Sequence, residues 1–221
     1  MKQILSIALV GAVAAAAGAQ SDPVVLSFTY SDLNGSFDVG SGMFNAVADS
    51  STSGDVTRLD GASDLTAQFD SGFVNLANDA DAVFDIQVSN ITTGPMGPTA
   101  DGSGSFELTD IDGDTVAGDI DGHWTVGSFG NIFFTGDLTG VSVTDNSGDG
   151  EFEGSTAGAF STSFIQQPSV GAVIVLSFSP TTFFTQDFSD ISTLISGRLV
   201  PTPGASIILA SAGLIAVRRR R

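Results

Sequence analysis

Along most of the chain, apolar and polar residues alternate with a period of two. Leu26-Ser-Phe-Thr-Tyr30, Leu65-Thr-Ala-Gln-Phe69 and Phe84-Asp-Ile-Gln-Val88 each put every second side chain on one face, the pattern of a half-buried strand. Asn34-Gly35 and Asp60-Gly61 stand between such runs as turn dipeptides. From Ser103 to Phe164 the pattern tightens. It predicts strands over Ser105–Leu108, Thr115–Ile120, His123–Val126, Asn131–Thr135, Val141–Thr144 and Ala159–Phe164, spaced as in a meander. Val170–Phe178 is a longer apolar run, which predicts a central strand buried on both faces, and Gly94-Pro-Met-Gly-Pro98 is a loop. One segment departs from period two. Phe184, Phe188, Ile191 and Ile195 recur at i, i+4, i+7 and i+11, which predicts a short helix near 185–196. The fold expected is all-β, an antiparallel sandwich or a barrel-like meander, forming one domain over 20–199.

The two ends do not share this pattern. Lys2 precedes an apolar run from Ile4 to Ala17, and Ala17-Gly18-Ala19 is a small-residue cleavage site, so residues 1–19 read as a secretory signal that signal peptidase removes. At the other end Pro201 and Pro203 keep a helix from starting before Gly204. Gly204 to Val217 then carries no charge, and Arg218, Arg219, Arg220 and Arg221 follow. As a helix, 204–217 covers about 21 Å at 1.5 Å per residue. A bilayer's hydrocarbon core is about 30 Å, so this segment spans it only with thinning or snorkelling, its arginines on the cytoplasmic side.

A Pro-x-Pro-Gly motif, a short apolar helix and a terminal arginine cluster resemble the PEP-CTERM sorting signal of bacterial exosortase substrates. The resemblance covers residues 200–221 and the signal peptide such proteins also carry. It implies export, retention by the tail helix, cleavage near the proline motif by an exosortase-like enzyme, and a place at the surface or in the matrix of an exopolysaccharide-making cell. Pro201, Pro203, Gly204 and Arg218–Arg221 match the pattern; Thr202 stands where the motif usually has Glu.

Charge adds a constraint. The chain holds 25 acids against 7 bases, all the acids lying between Asp22 and Asp190, and 22 of them are Asp. With both ends removed only Arg58 and Arg198 remain as bases, a net charge of −23. Nucleic acid is excluded as a partner, since phosphate neutralisation needs clustered Lys and Arg. Cysteine is absent, which excludes a disulfide scaffold, thiol catalysis and Cys-ligated zinc. Asp-rich composition fits plain turns, divalent-cation binding or life in high salt. Two loops sharpen the second reading. Asp110-Ile-Asp-Gly-Asp114 spaces carboxylates at i, i+2 and i+4, as calcium loops do, and Asp145-Asn-Ser-Gly-Asp149 repeats acids at i and i+4. Neither completes the helix–loop–helix signature, because Thr115 holds position 6 of the first and neither has Glu at position 12.

Catalytic signals are thin. His123 is the only imidazole, and no nucleophile-elbow context surrounds any serine; Glu151 and Glu153 share a strand face but sit in a Gly-Asp turn. With few catalytic signals in the residues, the resemblance implies an exported, non-enzymatic surface or matrix protein with exopolysaccharide as a partner. A carbohydrate-binding module using Trp124 or Tyr30 is the alternative, and a secreted hydrolase comes third. Burial of Trp124 separates the first two readings, and a deep cleft with a close carboxylate pair would favour the third.

Overall fold

A computed structural model describes residues 25–59, 64–75, 77–127, 130–163, 169–178 and 182–201. Twelve strands account for most of them: β1 (Val25–Asp38), β2 (Met43–Val47), β3 (Ser53–Leu59), β4 (Leu65–Phe69), β5 (Asp81–Gly94), β6 (Gly97–Thr109), β7 (Thr115–Val126), β8 (Ile132–Thr144), β9 (Glu151–Glu153), β10 (Ala159–Ser161), β11 (Ser169–Phe178) and β12 (Phe188–Pro201). Eight of these close an antiparallel barrel in the order β1-β2-β5-β6-β7-β8-β11-β12, with β12 returning to pair with β1 from Leu26↔Leu199 to Phe37↔Phe188. Chain order and spatial order coincide, so the barrel is an up-and-down meander interrupted twice. The β3–β4 hairpin pairs with the first half of β1, which β2 leaves free, and the β9–β10 hairpin meets β4 through Gln68↔Ala157. Both excursions leave from one end of the barrel. That end also holds Val25, Leu199 and the β6–β7 turn; the β1–β2 turn and the tip of the β5–β6 hairpin lie at the opposite end.

The barrel is filled by rings, and the wall makes room for them. Phe28, Phe84 and Phe106 pack together in one half, with centroids 5.7–6.1 Å apart. Trp124, Phe44, Phe134 and Phe178 fill the other half. Gly102 stands beneath this second layer. A Cβ there would lie 2.6 Å from Trp124 Nε1 and 2.8 Å from Phe134 Cε2, so a side chain is excluded. Tyr30, Phe69, Phe73, Phe152 and Phe160 form a continuation of the core beneath the two excursions.

The helix expected near 185–196 is a strand, β12. Its spacing arises from a β-bulge. Asp190, at φ +57°, adds a residue at the register shift between Gly35 and Phe37, so the inward positions step from Phe188 to Ile191 rather than to 190. The next inward position, Thr193, is polar although buried, so the apolar recurrence skips to Ile195. A bulge and a buried threonine thus imitate a helical period. Two expected breaks are also absent. Thr115–Ile120 and His123–Val126 belong to one strand, β7, and Asn131–Thr135 and Val141–Thr144 fall almost wholly in β8, which begins at Ile132. Asp121-Gly122 and Gly136-Asp137 lie within these strands and face each other across the β7–β8 ladder. Asn34-Gly35 likewise lies inside β1. In β11 Leu176 and Phe178 are buried and Ser177 is half-buried, as in a wall with one face inward. The signal segment 1–19 and the apolar segment 204–217 lie outside the described residues, as does Asp60-Gly61.

Candidate metal centre

The β6–β7 turn is built on Asp110. Its backbone N–H donates to Asp114 O at 3.0 Å, closing a tight loop in which Gly113 takes φ +94°. Asp110 Oδ1 accepts from the N–H groups of Asp112 (3.2 Å) and Asp114 (2.8 Å), and Oδ2 accepts from Glu153 N–H in β9 at 2.9 Å. One fully buried carboxylate therefore shapes its own turn and ties the β9–β10 hairpin to the barrel. Burial pushes the Asp110 carboxyl up to about 7, the adjacent Asp112 carboxyl adds to the rise, and the amides of Glu153 and Asp114 oppose it.

Asp114, also fully buried, performs the same service for the loop after β8. Its Oδ1 accepts from Asn146 N–H (2.6 Å) and Ser147 N–H (2.8 Å), while Asn146 Nδ2 donates to Gly113 O at 2.7 Å. The two acidic loops, read separately in the sequence, are thus one structure joined at Asp114. Asp110, Asp112 and Asp114 offer oxygens within 4.8 Å of one another, and so do Asp114, Asp145 and Asp149. At the centre of the second group stands Ser147, which sequence reasoning passed over. Its Oγ lies 3.3 Å from Asp114 Oδ2, 3.4 Å from Asp145 Oδ1 and 3.1 Å from Asp149 Oδ1. A hydroxyl has one proton and cannot serve three carboxylates at once. The alternation Asp145-x-Ser147-x-Asp149 is the signal that could have found it. The donors are all hard oxygens, the set that suits calcium or magnesium rather than a softer metal. A hollow of about 320 Å³ adjoins them, walled by Asp145, Asp149, Ser161, Thr162 and Ser163.

The other candidate residues lie apart from this centre. Trp124 and Tyr30 are both fully buried and offer no platform to a sugar. His123 Nδ1 lies 2.7 Å from Asp101 Oδ1 on the outer wall, with the two side chains 75% and 46% exposed. Asn90, donating to Asp101 Oδ2 at 2.7 Å, holds that carboxyl below the usual range, with His123 contributing. Asp85, Glu107 and Asp119 line an open hollow of about 460 Å³ on the same wall. Glu153 is raised, first by burial and then by neighbouring acids led by Asp112. Of the sorting residues, Pro201 ends β12; Ala17, Ala19, Thr202, Pro203, Gly204 and Arg218–Arg221 lie outside the described residues. Fold and loops together define an up-and-down β-barrel with a two-loop acidic centre at one end. No protein-family model, no curated protein and no solved structure matches the chain.

Proposed function

We propose that this is an exported, non-enzymatic surface or matrix protein, processed by signal peptidase, sorted by an exosortase-like enzyme through its C-terminal tail, and carrying a barrel braced at its acidic end by calcium. The burial of Trp124 inside the ring-filled barrel and of Tyr30 beneath the excursions is the observation that carries the reading, because it removes both sugar platforms. Asp110, the carboxyl most strongly raised, is buried and bonded to three backbone amides, which suits a brace better than an acid catalyst. Both ends of the described chain leave the barrel at the acidic end, so a membrane-held tail places that end toward the cell. The test is replacement of Arg218–Arg221 by Ser. Export should persist while membrane retention of the precursor is lost, as followed by fractionation and a tail-directed antibody. A full-length form still held in the membrane defeats the sorting assignment.

A second reading, calcium-dependent binding of exopolysaccharide, is favoured by the hollow beside Asp145 and Asp149, whose Ser161, Thr162 and Ser163 suit a hydroxylated ligand.

A further inference from the structure

One hairpin of the barrel runs on past its neighbours. β2 pairs with β5 only as far as Met43↔Gln87, and β7 follows β6 only to Thr99↔Thr125. Beyond these points β5 and β6 pair with each other alone among the described strands, and every residue from Ser89 to Met96 is exposed. A finger two strands wide thus projects from the end opposite the acidic loops. Its root is fixed. A bulge between Ser89 and Thr92 puts Asn90 at φ +51°, a region Asn tolerates, and Asn90 Nδ2 donates to Asp101 Oδ2 at 2.7 Å. Further out, Thr92 Oγ1 and Thr99 Oγ1 lie 3.0 Å apart across the pair.

Charge and edge chemistry set the finger apart. Between Asp85 and Asp101 the chain carries no charged residue, in a body of −23. Ile91 and Met96 are 45% and 98% exposed. On the side that β2 leaves free, Ile91–Gly94 presents an unpaired strand edge. Such edges are normally blunted by Lys, by Pro or by inward-pointing charge. Beyond the bulge this one has none of these, and Ile91, Thr92 and Thr93 are good strand formers.

We propose that the finger is an association surface for a second copy of this chain, the Ile91–Gly94 edges of two copies pairing antiparallel about a two-fold axis. An antiparallel edge is self-complementary, so the same residues serve both partners. With the axis normal to the sheet, both Ile91 side chains lie on one face of the four-stranded sheet that results. Charge decides how the copies meet. Bodies of −23 repel wherever acids face acids, and contact tip to tip holds the acidic ends farthest apart. β6 runs 13 residues from the finger to the acidic turn, about 40 Å along the strand. That is several times the screening length of about 8 Å at physiological salt. With the tail membrane-held, as proposed above, the finger points away from the cell; the pairing itself requires neither tail nor ion. A finger this small falls short of the roughly 20–30 residues a side of a standard interface, so the association is weak and is best trapped covalently.

The chain has no Cys, so an introduced thiol is its only one. Full-length protein in nonionic detergent carrying Thr93→Cys should be captured as a dimer by a short bismaleimide. Capture should exceed at least tenfold that of the protein carrying Ser142→Cys, an exposed position on β8 near the acidic loops. Adding Ile91→Asp and Met96→Asp to Thr93→Cys should cut capture to the Ser142→Cys level, because like charges then face each other. Both side chains are exposed, so the fold is not at stake. Capture should persist in EDTA. Equal capture at the two positions, or capture indifferent to the Asp substitutions, overturns the proposal. Capture lost in EDTA overturns it too, since calcium would then be bridging acidic loops. A polarity-sensitive dye on the Thr93→Cys thiol tests the other occupant: a blue shift on phosphatidylcholine vesicles, without capture, identifies a bilayer and the proposal falls.

Discussion

Asp81 shows how a single carboxyl is set by its surroundings. It opens β5, half-buried, and accepts from the N–H of the next residue, Ala82, at 2.7 Å. Burial raises it above its ordinary value of 3.8, and the Ala82 amide only partly opposes the rise. The sign follows from linkage. A carboxyl raised in the folded state costs nothing while protonated in both states, and its penalty grows as pH climbs from the unfolded value through the folded one. Asp81→Asn should therefore raise the melting temperature at pH 7 and leave it nearly unchanged at pH 3, as read by thermal unfolding at the two pH values. At this scale the sequence spoke clearly about Asp110, Asp112 and Asp114, because loop spacing is local. Ser147 alternates with Asp145 and Asp149 in the sequence, but its third carboxylate, Asp114, is brought to it only by the fold.

Among the elements, the β9–β10 hairpin hangs on a few side chains. Asp110 Oδ2 holds it at Glu153, Arg58 Nη1 donates to Ser161 O at 3.3 Å, Thr156 Oγ1 accepts from Asp70 N–H at 3.2 Å, and backbone ties such as Gln68 N–H to Ala157 O at 2.8 Å complete the set. Asp110→Ala strips an acceptor from the amides of Asp112, Asp114 and Glu153. A buried amide left without a partner costs about 1–3 kcal/mol. Amide hydrogen exchange should speed up at Glu153 and through β9–β10 while β5 and β6 stay protected; a uniform rise across the barrel would contradict the brace. Strand positions were legible where apolar alternation was unbroken, as in β4, predicted at Leu65–Phe69 and found there. They were misread where the wall carries glycine. Gly122 and Gly136 look like turn residues but are strand residues whose missing side chains admit Phe134. The bulge at Asp190 misled in the opposite direction, since a shifted register mimics a helical repeat.

For the whole molecule, the meander's sequence-neighbouring strands pair with each other, and only the β1–β12 ladder joins the two ends of the domain. Antiparallel β-architecture was legible from period two, whereas closure into a barrel depends on that one long-range ladder, which leaves no local signal. The acidic body must hold its fold against its own repulsion. An ion that binds only the folded state at tenfold its Kd adds about 1.4 kcal/mol. For a domain of this size that is roughly 3–6 °C in melting temperature. The protein should melt higher by that margin in millimolar calcium than in NaCl of matched ionic strength, and Asp112→Ala with Asp145→Ala should abolish most of the difference. Equal melting in the two salts would mean that the loops are turns held by amides alone.

The position of β12 also governs how the barrel bears load. Tension on the chain beyond Pro201 runs lengthwise along a strand flanked on both sides, by β1 and by β11. Its hydrogen bonds then lie across the pull and are loaded in parallel, so they must yield together rather than open one after another from a free edge. A body tethered through this strand would resist drag as a glued lap joint does, whereas a strand at an open sheet edge would peel.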